Sequence, residues 1–354
     1  MLLDFNAAFP LIRIFLLGIA SFVTAFVLTP VMTHFLYTYK IGKKVRNTGS
    51  TPVFSTMHEH KNGTPTAGGI VIWVSVLVLT LALYYAQYLF PQVLWARLNF
   101  LSRKETLLPL VTFIAAALVG LVDDLMNVKG KGSDTGGLRM RHRILIYTFI
   151  ALIGAWWFYV KLGWDIIHIP FLGDYFIGIW YIPVFIFAIV ATSFSVNETD
   201  GLDGLAGGVL LIAFAAYGAI AFSKDRFDLA TLCAVITGAL LAFLWFNINP
   251  ARFFMGDTGS MSLGVTLGVI AMLTNTLFLL PLIGLVLVLE SGSVLLQIAS
   301  KKIRKKKLFL SAPLHHHLEA KGWSEPKIVM RFWIIALVFA IIGLCLFLVE
   351  RNFL

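Results

Sequence analysis

The sequence predicts an all-α, polytopic integral membrane protein of about ten transmembrane helices, built as a single domain over residues 1–354. Three observations carry that prediction. Hydrophobic residues make up 59% of the chain and charged residues 13%, too few to hydrate the surface of a soluble domain of this size. The apolar residues gather into windows of about 20, the length a helix needs to cross the hydrocarbon. The basic residues fall mainly into every second loop between those windows.

The windows lie at 11–35, 69–90, 107–122, 144–162, 177–195, 204–222, 229–247, 259–275, 278–299 and 332–350, the third and eighth being short. Inside a bilayer the backbone has no water to bond, so each window is read as a helix. Loops 36–68, 123–143, 196–203, 248–258 and 300–331 hold 20 of the 28 Lys and Arg residues, against 8 on the opposite face. The richer face is expected to be the cytoplasmic one, and ten spans then leave both termini on the outer side. The run Lys301-Lys302-Ile303-Arg304-Lys305-Lys306-Lys307 fits a stop signal resting on anionic headgroups. The net charge of +10 is therefore a signal of topology. Nucleic acid is excluded as a partner, because the basic residues border spans and no recognition module accompanies them. Cys233 and Cys345 lie inside apolar windows without metal-ligand spacing. Near the first window stand only Asp4 and Arg13, with no basic stretch or small-residue cleavage site, so that window is expected to remain as a span.

Polar clusters concentrate on the basic face, and a chain that needed only turns would spread them evenly. Lys61-Asn62-Gly63-Thr64-Pro65-Thr66-Ala67-Gly68-Gly69 opens the second span. Glycines and a threonine at a helix start expose N–H groups where the dipole favours an anion. Asp123-Asp124 ends the third span, where two carboxylates oppose the dipole, repel each other and call for a cation. Asn197-Glu198-Thr199-Asp200-Gly201-Leu202-Asp203-Gly204 joins the fifth and sixth spans, with three carboxylates and no Lys or Arg. Asp200 and Asp203, three apart, share one face of a helix start.

Asn247-Ile248-Asn249-Pro250 and Phe254-Met255-Gly256-Asp257-Thr258-Gly259-Ser260 lead into the eighth span. A cap alone needs one Asp or Ser, not this whole string. His315-His316-His317 stand in the last loop of the basic face. Three adjacent histidines do not have the i, i+4 spacing of a helical zinc site, so contact with phosphate or a nucleobase is the better reading. The second, sixth and eighth spans all start from this face, so three positive helix ends are expected to converge among the acids. Hard oxygen ligands beside phosphate favour Mg²⁺, which neutralises charge developing at phosphorus.

The strings Gly63-Thr64-Pro65-Thr66, Asp123-Asp124, Asn197-x-Thr199-Asp200-Gly201-Leu202-Asp203-Gly204-Leu205, Phe254-Met255-Gly256-Asp257-Thr258-Gly259-Ser260 and Pro313-Leu314-His315-His316-His317-x-Glu319 resemble the polyprenyl-phosphate N-acetylhexosamine-1-phosphate transferases. Within them the match is to the phospho-N-acetylmuramoyl-pentapeptide-transferase type, in order and over almost the whole chain. The resemblance implies transfer of phospho-N-acetylmuramoyl-pentapeptide from UDP to undecaprenyl phosphate, giving lipid I and UMP. It implies Mg²⁺ dependence, an active site on the cytoplasmic face of the bacterial inner membrane, and a part in peptidoglycan synthesis and so in cell shape and division. Partners are then the UDP-linked substrate, undecaprenyl phosphate and membrane lipids, with a second copy of the chain expected as a homodimer.

Carried over by position, Asp123, Asp124 and Asp257 resemble the catalytic residues. The resemblance implies Asp257 as the principal Mg²⁺ ligand, Asp203 as a second, and the Asp123–Asp124 pair as handling the lipid phosphate. It implies that Asn197, Asp200 and Asp203 line the nucleotide and metal region, and that Lys61, Thr66 and Asn247 hold polar parts of the substrate. It further implies that Phe254 stacks on uracil and that His315, His316 and His317 contact the sugar-phosphate or position the metal. Three positions depart from the pattern. Glu198 replaces an apolar residue, Ala67 replaces methionine, and Asn127 stands where a basic residue is usual, leaving phosphate contact there to Lys129 or Lys131.

Overall fold

The structure, a computed structural model, describes residues 5–39, 41–42, 63–90, 92–130 and 137–353. It is a helical membrane protein whose long elements follow the apolar windows. They are α1 (Phe5–Thr38), α2 (Ile70–Leu89), α3 (Leu107–Val128), α4 (Met140–Trp156), α5 (Tyr181–Thr199), α6 (Leu205–Ser223), α7 (Phe227–Asn247), α8 (Gly256–Leu273), α9 (Leu285–Arg304), α10 (Leu314–Ala320) and α11 (Glu325–Phe353). Among the described residues, nine helices are long and apolar enough to cross a membrane. A tenth follows if Leu277–Ile283 and Leu285–Arg304 are counted as one span, but the two meet at 84°. The expected continuous ninth span is therefore broken at Gly284, a residue that adds flexibility and no side chain to bridge the turns.

α8 is the axis of the bundle. Every residue from Asp257 to Leu273 is buried, and the helix packs on α3, α5, α6 and α2. Its run Gly259-Ser260-Met261-Ser262 and the later Gly264, Thr266 and Gly268 explain how. Lipid tails supply no hydrophobic drive between helices, so close backbone approach by small residues carries the packing. The serine and threonine hydroxyls bond back to their own helix, Ser262 to the Thr258 carbonyl at 2.7 Å and Thr266 to the Ser262 carbonyl at 2.7 Å, which satisfies them away from water.

The peripheral helices tell the opposite story. α1 pairs with α7 and α2, yet shows Phe15, Ile19, Val23, Val27, Val31 and Phe35 outward, each at least half exposed. Such a stripe suits contact with lipid. The connection between α4 and α5, which the apolar windows leave without an element, forms a hairpin of β1 (Ile166–Ile169) and β2 (Gly173–Phe176). The strands are antiparallel with Ile166 opposite Phe176. Its β-branched run Ile166-Ile167 and the Gly173 turn are the local reasons.

Candidate active site

Four helix ends meet on the basic face: the C-termini of α3 and α5 and the N-termini of α4 and α8. Gly120 lets α3 reach α8, because a Cβ there would overlap the Asp257 carbonyl. That contact brings Asp123 and Asp124, both buried, against the start of α8. Consecutive residues on a helix point about 100° apart, so the two carboxylates face different partners.

Asp124 faces α8. Its Oδ1 accepts the Asp257 N–H at 3.1 Å and its Oδ2 the Thr258 N–H at 3.0 Å, while the Thr66 hydroxyl donates to Oδ1 at 3.4 Å. The positive end of α8 was expected to face an anion. It does, and the anion is Asp124 of the same chain. Gly256 permits the approach. Its φ of +73° suits glycine, and a side chain there would press on the Asp124 carboxylate.

Asp123 faces α4. The Leu138 N–H donates to its Oδ1, and Arg143 Nη2 lies 2.7 Å from its Oδ2 as an ion pair outside good hydrogen-bond geometry. The same Nη2 lies 2.8 Å from Asp257 Oδ2. Arg143 Nη1 donates to Asp257 Oδ1 and to Asn197 Oδ1, both at 3.2 Å. The Asn197 amide then donates to Asp257 Oδ1 at 2.6 Å and to Ser260 Oγ at 3.1 Å. One guanidinium thus ties together α3, α5 and α8, its planar fork matching oxygens on three sides.

A second cluster holds the loops around the first. Asp200 Oδ2 accepts the Gly256 N–H at 3.2 Å, fixing the turn before α8. Asp203 Oδ2 accepts from the Asn249 amide at 3.0 Å and the Ala251 N–H at 3.1 Å, while its own N–H donates to Glu325 at 2.6 Å. Asn247 uses both ends of its amide, donating to the Phe253 carbonyl at 2.8 Å and accepting the Gly204 N–H at 3.0 Å. Phe254 is half-buried, and its backbone pairs with the segment entering α2: its N–H donates to the Pro65 carbonyl at 2.8 Å and its carbonyl accepts from the Gly68 N–H at 2.8 Å. Lys61 and Lys131 lie outside the described residues.

The three histidines go three ways. His315 is fully buried and bonded through Nδ1 to Glu290 at 2.8 Å. His316 meets Glu319 at 2.6 Å. His317 accepts the Leu310 N–H at 3.2 Å, and burial, then the Lys321 charge, hold its imidazole below the ordinary histidine value.

The structure therefore joins Asp123, Asp257 and Asn197 in one centre and Asp124 beneath it, with Asp200, Asp203 and Asn247 bracing the surrounding loops. Arg143 is the centre's missing member in the sequence reading, where it counted only toward the basic face. Its signal was position. Arg139, Arg141 and Arg143 flank a helix N-terminus, where the dipole disfavours cations, so an arginine there calls for an acidic partner. The cation that the structure sets against the Asp pair is Arg143, at Asp123.

Mg²⁺ is tested by the donor set. Among the described residues no three His, Cys, Asp or Glu side chains form a ready cluster. Two carboxylates, of Asp123 and Asp257, and the Asn197 carbonyl oxygen nevertheless surround one positive group. Hard oxygens about a cation are the chemistry Mg²⁺ takes, so this donor set fits it, whereas the Asp203 carboxylate is engaged by Asn249 and Ala251.

The profile of Glycosyl transferase family 4 matches residues 106–275, the stretch from α3 through α8. The chain is 38% identical over 350 residues to the phospho-N-acetylmuramoyl-pentapeptide-transferase of Chloroflexus aggregans, covering 95% of this chain and 90% of that one. It is 38% identical over 328 residues to the protein of that name from Geobacillus sp., covering 92% and 95%. It is 38% identical over 347 residues to the one from Desulforapulum autotrophicum, covering 92% and 90%.

Proposed function

This chain belongs to the phospho-N-acetylmuramoyl-pentapeptide-transferase family, and we propose that it transfers phospho-N-acetylmuramoyl-pentapeptide from its UDP-linked form to undecaprenyl phosphate, giving lipid I and UMP in peptidoglycan synthesis. The observation that carries the reading is the Arg143 centre. Two buried carboxylates and an amide oxygen meet one cation at the ends of apolar helices, where a lipid-borne phosphate and a soluble diphosphate have a common boundary.

The reaction is read as a single in-line displacement. An oxygen of the lipid phosphate attacks the phosphorus that bears the sugar, the bond from that phosphorus to the bridging oxygen breaks, and UMP leaves with the electron pair. Asp123 Oδ2, held by the ion pair with Arg143 rather than by a backbone donor, is assigned the proton of the lipid phosphate. Arg143 neutralises negative charge gathering at the diphosphate. Asp124 acts through α8, setting the angle at which Asp257 enters the site. Asp257 with Asp123 would hold Mg²⁺, which would supply further neutralisation of the charge on the diphosphate.

The same reading sets the site toward the cytoplasm of a bacterial inner membrane, with both termini outside. Its support is the concentration of 20 of 28 basic residues in the loops of that face. The test is turnover of purified protein in vesicles holding undecaprenyl phosphate, offered UDP-N-acetylmuramoyl-pentapeptide or UDP-N-acetylglucosamine. UMP release with the first and not the second is expected. Preference for the second would assign the chain to a different branch of phospho-sugar transfer.

A further inference from the structure

α9 carries a buried acid, Glu290, that the centre described above does not use. Its side chain has no exposure. A carboxylate inside a membrane span is costly unless a partner meets it, and such residues mark function more often than packing. The partner is His315, itself fully buried, whose Nδ1 lies 2.8 Å from Glu290 Oε2. The backbone N–H of His315 donates to the same oxygen at 3.4 Å. As a carboxylate Glu290 can only accept, and both contacts then place the ring proton on Nδ1, with Nε2 as the other pole.

Nε2 is buried and has no hydrogen-bond partner. It lies against Gly201, where a Cβ would overlap it. Gly201 belongs to the loop between Asn197 and Gly204, whose first residue donates to Asp257 in the Arg143 centre. An unpaired buried polar atom carries a desolvation cost with nothing to offset it in the free protein. It faces a loop of the reaction centre, and Gly201 covers it, so a substrate donor reaches it when that loop shifts.

We propose that Glu290 is a positioning residue for His315. It fixes the ring with Nδ1–H toward the acid and Nε2 toward the Asn197–Gly204 loop, as an acceptor for an O–H or N–H of the sugar–peptide substrate. The proposal rests on the phospho-sugar transferase reading of that site. The two residues stand on different elements, Glu290 on α9 and His315 on α10.

The test has a spectroscopic arm and a kinetic arm, both on the full chain. In ¹⁵N-histidine-labelled protein, with the His315 signals identified by their loss in His315→Asn, the expected spectrum shows a protonated Nδ1 and a bare Nε2. Glu290→Gln, which offers either an amide oxygen or an amide N–H to Nδ1, is expected to give a mixture of the two tautomers. A wild-type His315 protonated at Nε2 and bare at Nδ1 overturns the proposal without any Glu290 variant having to fold. In the kinetic arm, Glu290→Gln is expected to lower kcat/KM by about 10- to 100-fold, the range for losing the carboxylate behind a metal-ligating histidine, applied to one that meets substrate. Glu290→Asp restores part of it, and Glu290→Gln combined with His315→Asn is no slower than His315→Asn alone. Wild-type kcat/KM in Glu290→Gln, or full additivity in the double variant, contradicts the proposal. If wild-type protein releases no UMP, the transferase reading fails while the spectrum still decides the role of Glu290.

Discussion

Asp124 and Asp257 are joined through the backbone: the Asp124 carboxylate accepts the N–H of Asp257 at 3.1 Å and that of Thr258 at 3.0 Å. Adjacent acids in the sequence thus do different work. Asp123 turns to the cation Arg143, while Asp124 closes the positive end of α8 and so holds the residue read as the principal metal ligand.

Asp124→Asn keeps the shape of that cap and removes its charge. It is expected to cost about 1–2 kcal/mol of stability, the range for a helix cap with a dipole contribution. Turnover should fall with it, because Asp257 loses its fixed direction. Thermal denaturation in detergent and UMP release check the two together. Unchanged melting with unchanged turnover would remove Asp124 from both roles.

Asp257→Asn keeps an acceptor for the Asn197 amide but removes the carboxylate. Turnover is expected to vanish while the protein stays folded by circular dichroism. Full activity in this variant at saturating Mg²⁺ would count against a metal role for Asp257.

Arg143→Ala leaves the Asp123 and Asp257 carboxylates facing one another without their shared cation. Breaking one side of a buried ion pair costs about 3–5 kcal/mol, so a clear fall in melting temperature is expected. Arg143→Lys keeps the charge but not the fork, and cannot reach Asp123, Asp257 and Asn197 at once. It is expected to melt closer to wild type yet turn over more slowly. A lysine variant with full activity would show that only the charge matters.

Mn²⁺ titration followed by electron paramagnetic resonance separates the two acids carried over as metal ligands. Asp257 shares the Arg143 centre with Asp123, whereas Asp203 braces Asn249 and Ala251. Binding is expected to weaken in Asp257→Asn and Asp123→Asn and to persist in Asp203→Asn. Loss in Asp203→Asn alone would move the metal toward the loops around α6.

The helices and the acids were legible because hydropathy and charge are local signals. Windows of apolar residues mark α1 to α8 and α11 directly, and the polar strings mark the helix ends that meet. The break at Gly284 was not legible, since both halves of the ninth span are apolar and only tertiary packing bends them by 84°. Arg143 was missed for a related reason. Its role comes from long-range partners 20, 54 and 114 residues away, Asp123, Asn197 and Asp257, and nothing beside it in the chain is acidic. The division of labour between Asp123 and Asp124 likewise depends on which face of α3 meets α8, a matter of rotation that adjacency cannot encode.

The most direct measurement is release of UMP and formation of labelled lipid product by the purified wild-type chain in vesicles containing undecaprenyl phosphate, with radiolabelled UDP-N-acetylmuramoyl-pentapeptide, before and after Mg²⁺ is removed by chelation. Equal amounts of UMP and lipid product, both lost on chelation and restored by added Mg²⁺, are predicted. Turnover that survives chelation, or lipid product formed without UMP, would contradict the account of a metal-assisted displacement at the Asp123–Arg143–Asp257 centre.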